Sequence, residues 1–190
     1  ASDVYKRQFL DRTRGIVLNP MIEYIKSALQ LYIKDFSYDT VFHFLRSGMA
    51  DISREEIDEL ENYVIRTGAR GYRTYSRLFT RRTEEMQQGS GQEDTERAEE
   101  TLERLNRIRQ QFADTVEILH MAPRAKAGEY VDHLYDFLEQ NQVQQKLLNY
   151  QQQFEKEGDL SRAREYAQIF RLVMDLLDQV YDCLLYTSDA

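Results

Sequence analysis

The segment 19–71 carries the signals that begin and end three successive helices, and no other part of the chain constrains its fold as strongly. Asn19 before Pro20 is typical of a helix start, because asparagine caps free N–H groups and proline suits the first helical position. Ser53 and Glu56 have the spacing of a capping box. These signals predict helices that start at Pro20 and just after Ser53.

The middle helix of this segment is marked by a serine and a glycine. Ser37 is expected to cap it, and Gly48 suits the left-handed conformation that follows a helix end. Gly68 has the same role after the third helix. Apolar residues at spacings of three and four between these signals predict helices with one buried face.

The second half of the chain continues this helical pattern. Apolar residues recur at spacings of three and four in four stretches: 102–119, 130–138, 143–154 and 163–180. The chain has only 8 Gly and 2 Pro among its 190 residues, which also favours helix over strand. We therefore expect an all-α fold of about seven helices in an irregular helical bundle.

A polar stretch rich in Gly and Ser, residues 87–94, predicts a flexible loop between two helical halves, 9–86 and 95–182. The two ends, residues 1–8 and 183–190, resemble translated sequencing adaptor. We expect both ends to be non-native and residues 9–182 to be a helical accessory domain from a longer protein. The alternative is that the ends are frayed native termini.

The net charge of −8 excludes a chain that binds polyanions with its whole surface. No apolar run reaches the length of about eighteen residues that suggests a membrane span, and no secretory signal is visible. The lone cysteine, Cys183, cannot form an internal disulfide. We expect a cytoplasmic protein without a membrane partner.

Residues 62–83 contain six arginines and no acidic residue, with aromatic residues between them. Arginine pairs with phosphate groups and aromatic rings stack on unpaired bases, so the segment is a candidate DNA-binding site. On a helix, four of its arginines would share one face. The alternatives are a solvated face or pairing with carboxylates elsewhere. The candidate residues are Arg66, Arg70, Arg73, Tyr75, Arg77, Arg81 and Arg82.

Two other patterns have weaker functional meaning. Glu117 and His120 form a Glu-x-x-His pair, but the second pair of a di-iron bundle is missing, so a metal–carboxylate enzyme stays an alternative. The stretch 163–180 has near-heptad spacing, which fits a core helix or a partner-binding helix. We find no nucleophile–base arrangement and no GxxxxGK[ST] loop, and expect no catalytic, cofactor-binding or metal residues in this chain.

Three blocks within residues 9–71 follow the pattern of a known family. Their residues are Phe9-Leu10-Asp11 before Asn19-Pro20-Met21-Ile22-Glu23, then Phe36, Tyr38, Val41, Phe42, Leu45, Arg46, Ser47 and Gly48, then Ile57, Asp58, Leu60, Glu61, Asn62, Tyr63, Val64, Gly68, Arg70 and Gly71. This pattern resembles the B subunit of bacterial ATP-dependent helicase/deoxyribonucleases of the AddAB (RexAB) type.

The resemblance implies a helical accessory region like subdomain 2B of superfamily 1 helicases. It also implies a role in double-strand break repair and homologous recombination, a heterodimer with the A subunit, and DNA contact through the whole protein. That whole protein would be an ATP-dependent helicase/exodeoxyribonuclease with ATP, Mg²⁺ and an iron–sulfur cluster, none of them bound by this chain. The alternative is a free-standing interaction module that binds a partner through 163–180 without binding DNA.

Overall fold

A computed structural model describes residues 19–88, 91–121 and 125–188. These residues form nine helices and no strand, which confirms the all-α prediction. The helices are α1 (Pro20–Ile33), α2 (Tyr38–Leu45), α3 (Arg54–Thr67), α4 (Tyr72–Tyr75), α5 (Glu84–Gln87), α6 (Gln92–Glu117), α7 (Ala127–Gln140), α8 (Val143–Glu157) and α9 (Leu160–Ser188). All but α4 and α5 span two or more turns, so the predicted number of substantial helices is matched.

Three of the predicted segments lie partly or wholly at the ends of the described ranges. Residues 1–8 lie outside the described residues, as do 89–90 of the predicted loop. Helix α6 already begins at Gln92, so the last part of the loop predicted over 87–94 is helical. Residues 183–188 continue α9, and their non-native origin stays a prediction.

The chain divides into two compact units. The middle unit is Lys26–Glu117, and the terminal unit combines Ala1–Ile25 with Ile118–Ala190. Helix α1 contributes residues to both units. The predicted halves on either side of 87–94 stay a prediction.

The core of the middle unit is built from aromatic side chains. Phe36, Phe44, Tyr75 and Phe112 are almost fully buried. The ring centroid of Phe112 lies 5.9 Å from those of Phe36 and Phe44 and 5.5 Å from that of Tyr75. Such tilted and edge-to-face pairs stabilise a core beyond the area that they bury.

The predicted helix ends are largely confirmed. Ser53 Oγ accepts from the Glu56 backbone N–H at 3.2 Å, and the Ser53 N–H donates to Glu56 Oε2 at 2.9 Å, which completes the capping box. Gly68 ends α3 with a φ of 69°. Ser37 is at the N-cap of α2, but its hydroxyl lies 3.1 Å from Thr40 Oγ1 and makes no cap bond.

The terminal unit packs long helices against each other and against the start of α1. Asn19 Oδ1 accepts from the Met21 N–H at 3.0 Å, which confirms the predicted cap of α1. The rings of Tyr24 and Phe137 stack with centroids 5.1 Å apart. Asn19 Nδ2 also donates to Glu165 Oε1 at 2.8 Å, which links α1 to α9.

Helix α9 buries one face and exposes another apolar one. Ala163, Tyr166 and Val173 of the predicted heptad face are buried within the terminal unit.

No helix among the described residues has the length and hydropathy needed to span a membrane.

Candidate nucleic-acid interface

The arginine segment is mostly irregular chain, so the condition for a shared helical face of its arginines is not met. Only α4, a single turn, interrupts the irregular stretch between α3 and α5. Gly68 and Gly71 have φ values of 69° and 86°, which end helix α3 and turn the chain. A side chain at Gly71 would lie 3.2 Å from Asp35 Oδ2, so this turn requires glycine on two grounds.

The irregular segment nevertheless brings four of the predicted arginines together. They line a groove of about 420 Å³ that lies within the middle unit. The arginines of this groove are Arg70, Arg73, Arg77 and Arg81. Its other walls include three threonines and one exposed leucine: Thr67, Thr74, Thr80 and Leu78. We call this feature the arginine groove.

Three of the four groove arginines are available to an anion. Arg70, Arg73 and Arg77 are exposed, and none of them forms an ion pair within the described residues. The guanidinium of Arg81 donates to the backbone carbonyl of Thr67 at 2.6 Å, which joins the two ends of the segment. The groove therefore combines three unpaired cations with one that also supports the backbone.

The other two predicted arginines lie outside the groove lining and pair with carboxylates. Arg66 Nη1 lies 2.6 Å from Glu85 Oε1, and Arg82 Nη2 lies 3.4 Å from Glu99 Oε1. Both pairs are exposed, so each contributes little to stability. For these two residues the pairing alternative describes the structure better than a free phosphate contact.

Tyr75 does not have the geometry of a base-stacking residue. Its side chain is 1% exposed, and its ring packs against Phe36, Phe79 and Phe112. Burial raises the pKa of the Tyr75 phenol well above its ordinary value. The prediction that Tyr75 contacts DNA is therefore wrong, because the ring belongs to the core beneath the groove.

Helix α6 holds the segment in place through two side chains. Asn106 Oδ1 accepts from the Phe79 N–H at 2.7 Å, and Asn106 Nδ2 donates to the Phe79 carbonyl at 3.0 Å. Arg109 is 3% exposed and donates from Nη1 to the Tyr75 carbonyl at 2.7 Å. Burial, opposed by Asp114, lowers the pKa of Arg109. These bonds satisfy backbone groups that no helix or strand satisfies.

Tyrosines fix the two ends of the segment. The Tyr63 hydroxyl donates to the Arg81 carbonyl at 2.9 Å, and the Tyr72 hydroxyl donates to Glu117 Oε1 at 3.1 Å. Burial is the main cause that raises the pKa of both phenols. The Tyr72 N–H also donates to Asp35 Oδ1 at 2.9 Å. The groove is thus a defined surface held at both ends and from below.

Comparison with known proteins finds sequences that are similar to this chain. No family model matches the chain. A protein of Clostridium botulinum (strain Langeland) is 33% identical over 178 residues, and one of Pelotomaculum thermopropionicum is 37% identical over 180. Each match covers 93% of this chain and 15% of the relative. A protein of Alkaliphilus metalliredigens is 32% identical over 181 residues.

All three relatives carry the name of the B subunit of an ATP-dependent helicase/deoxyribonuclease. This chain is a homologue of one segment of that B subunit. The family resemblance of residues 9–71 is therefore confirmed, and the match extends well beyond those residues. The chain spans about 15% of the length of these relatives.

Sequence reasoning missed the residues that support the arginine groove. Arg109 had a visible signal, because it falls on the apolar stripe of α6 with Leu105, Phe112 and Val116. A charged residue on a buried stripe requires polar partners nearby. Asn106 and the exposed Leu78 had no such signal.

The structure adds no support for a metal site at Glu117 and His120 within the described residues. The carboxylate of Glu117 accepts hydrogen bonds from the Tyr72 hydroxyl at 3.1 and 3.2 Å. Within the described residues no group of three or more His, Cys, Asp or Glu side chains is placed to hold a metal ion. Glu117 therefore has a structural contact with Tyr72, and its metal role with His120 stays an untested alternative.

Proposed function

We propose that this chain is a non-catalytic, 2B-like helical region from the B subunit of an AddAB-type enzyme, and that it contacts DNA during double-strand break repair and homologous recombination. Homology over 93% of the chain supports the family context. The observation that carries the DNA contact is the arginine groove, where Arg70, Arg73 and Arg77 are exposed without an ion pair among the described residues.

The chemistry of the groove suits a phosphate backbone. Each guanidinium presents a planar fork of N–H donors that matches two phosphate oxygens. The hydroxyls of Thr67 and Thr74 already donate to backbone carbonyls one turn earlier. Among the lining threonines, the exposed Thr80 can add a neutral hydrogen bond to a phosphate. Because phosphates are the same at every nucleotide, such contacts position DNA without reading its sequence.

The other parts of the proposed enzyme are assigned outside this chain. A nucleotide site would require a phosphate-binding loop, and no GxxxxGK[ST] occurs in the sequence. One cysteine does not fit an iron–sulfur cluster held by four thiolates. We propose that ATP, Mg²⁺ and the cluster belong to other regions of a cytoplasmic heterodimer with an A subunit.

The test compares the unpaired with the paired arginines. We would measure the affinity of the full chain for a fluorescent DNA oligonucleotide at low salt. The triple variant R70Q/R73Q/R77Q is expected to bind at least about tenfold more weakly, because three phosphate contacts are lost. The matched control R66Q/R82Q is expected to stay within about twofold of the unsubstituted chain. Equal affinity of the triple variant would reject the DNA-contact proposal.

A second candidate function, partner binding, is favoured by one face of α9. Leu172, Leu176 and Val180 are 40%, 58% and 41% exposed and follow each other at spacings of four, so they form an apolar stripe. We propose that this stripe, which shares Val180 with the predicted heptad face, meets the A subunit. The variant L172S/L176S is expected to reduce co-purification with that subunit. Unchanged recovery would reject this interface.

A further inference from the structure

Among the residues that line the arginine groove, Leu78 is the one large apolar residue that is exposed to solvent. It is 68% exposed, while Tyr63 and Phe79 of the same lining are buried. Exposing a leucine to water is unfavourable compared with burying it. A single exposed leucine is common on protein surfaces. A functional role for Leu78 therefore has to be argued from the contacts that fix its backbone and from the residues around it.

The neighbouring backbone holds Leu78 outward. Both polar backbone groups of Phe79 bond to Asn106, and the Phe79 ring lies 4.8 Å from the Tyr63 ring. On the other side, the Tyr75 carbonyl accepts from the buried Arg109. These anchors leave Leu78 exposed between fixed points, next to the unpaired Arg77.

We infer that the arginine groove takes single-stranded DNA, with phosphates on Arg70, Arg73 and Arg77 and an unstacked base against Leu78. This inference rests on the proposed function and adds the class of DNA. In a duplex the bases are paired and stacked, so a leucine beside the phosphates meets only the sugar–phosphate backbone. A single strand offers the apolar face of a base next to its phosphate.

The nature of the apolar contact predicts its selectivity. Aliphatic side chains such as leucine contact base faces in other DNA-binding proteins where the bases are partly unstacked, and a single strand offers such faces without the cost of opening a duplex. Leu78 carries no hydrogen-bonding group, so its contact tolerates any base. The buried rings of Tyr63, Tyr75 and Phe79 leave no aromatic platform in the groove, and the preference for single strands is therefore modest.

The experiment measures how strongly the full chain prefers single-stranded DNA over duplex. A fluorescent strand of about 20 nucleotides and the blunt duplex made from it are titrated at the same salt concentration. The variant Leu78→Ser is expected to lower the ratio of single-strand to duplex affinity about fivefold. Leu78→Met keeps an apolar side chain and is expected to keep the ratio. Ile33→Ser, which also removes an exposed apolar side chain of the middle unit, is the matched control.

The outcomes separate this inference from the proposed function. If R70Q/R73Q/R77Q weakens binding while Leu78→Ser leaves the ratio unchanged, or lowers both affinities equally, the single-strand inference is overturned and the phosphate contact stands. If the triple variant binds both DNAs as before, the proposed function itself fails. Poly-glutamate that competes as well as the single strand would also overturn the inference, because an acidic protein segment would then be the better occupant.

Discussion

The two units of this chain differ in how their proposed binding surfaces are built. In the terminal unit the exposed apolar stripe lies on α9, and a continuous helix fixes the position of each of its residues. In the middle unit the arginines lie on irregular chain that side chains of α6 and the turn at Asp35 hold in place. The apolar stripe on α9 therefore depends on helical spacing, whereas the arginine groove depends on individual hydrogen bonds.

This difference explains why the six arginines do not behave alike. Arg66 and Arg82 flank the held segment and find carboxylate partners on α5 and α6. The unpaired three lie within it, where the chain itself supplies no acidic residue. The local backbone, rather than the composition of the segment, thus decides which arginines remain available to a ligand.

The largest expected effect comes from the aromatic core beneath the groove. Phe112→Ala removes a fully buried ring that contacts Phe36, Phe44 and Tyr75, and should lower the free energy of unfolding by about 4 kcal/mol. Urea denaturation followed by circular dichroism measures the change. Phe137→Ala, an equally buried ring of the terminal unit, should cost a similar amount. If both variants are folded and only Phe112→Ala also weakens DNA binding, the DNA-binding surface depends on the core of the middle unit and not on that of the terminal unit.

The next effect tests the support from α6. Asn106→Ala leaves the N–H and carbonyl of Phe79 without their partner, and should cost about 2 kcal/mol of folding free energy. Asn149 in α8 is an exposed asparagine whose bond to Gln145 lies on a helix surface. Asn149→Ala should change stability by less than about 0.5 kcal/mol. Equal effects of the two variants would show that the segment does not depend on Asn106.

Two glycines with positive φ values give a closer comparison between the units. Gly71 has a φ of 86° and a carboxylate oxygen 3.2 Å from the position of an added Cβ, whereas Gly158 has a φ of 79° and open space. Gly158→Ala should cost about 1 kcal/mol from backbone strain alone. Gly71→Ala should cost about 2 kcal/mol, because the ψ of 145° at Gly71 lies close to a region that only glycine adopts readily and because the clash with Asp35 is added. Thermal unfolding of both variants measures the difference, and the reverse order would contradict the turn described at Gly71.

The smallest effect is a dependence of stability on pH. Bonds from the Tyr38 hydroxyl at 2.7 Å and from Arg46 at 2.5 Å lower the pKa of Glu61. A lowered folded-state pKa contributes stability that is fully present above the ordinary value near 4.5 and is lost as the pH falls through the folded value. Glu61→Gln should therefore flatten the decline in stability below that pH. Glu157→Gln, at an exposed position of α8, serves as the control and should leave the decline unchanged.

The sequence predicts most of the helices because their signals are local. Capping residues such as Ser53 and the apolar spacing of α6 act within a few positions of each other, and the structure confirms both. The path of residues 68–83 was not predictable in this way. It depends on partners such as Asn106 and Asp35, which are distant in sequence, and the spacing of the arginines does not reveal how the chain runs after Gly68.

The salt dependence of DNA binding tests the central claim, that Arg70, Arg73 and Arg77 of the arginine groove contact phosphates. Affinity for the single strand would be measured from about 50 to 200 mM salt for the unsubstituted chain and for each single Arg→Gln variant. Three phosphate contacts predict a slope of about −2 in the plot of log affinity against log salt concentration. Each substitution should make that slope less steep by about 0.7. A slope that is the same in the unsubstituted chain and in all three variants would contradict the claim.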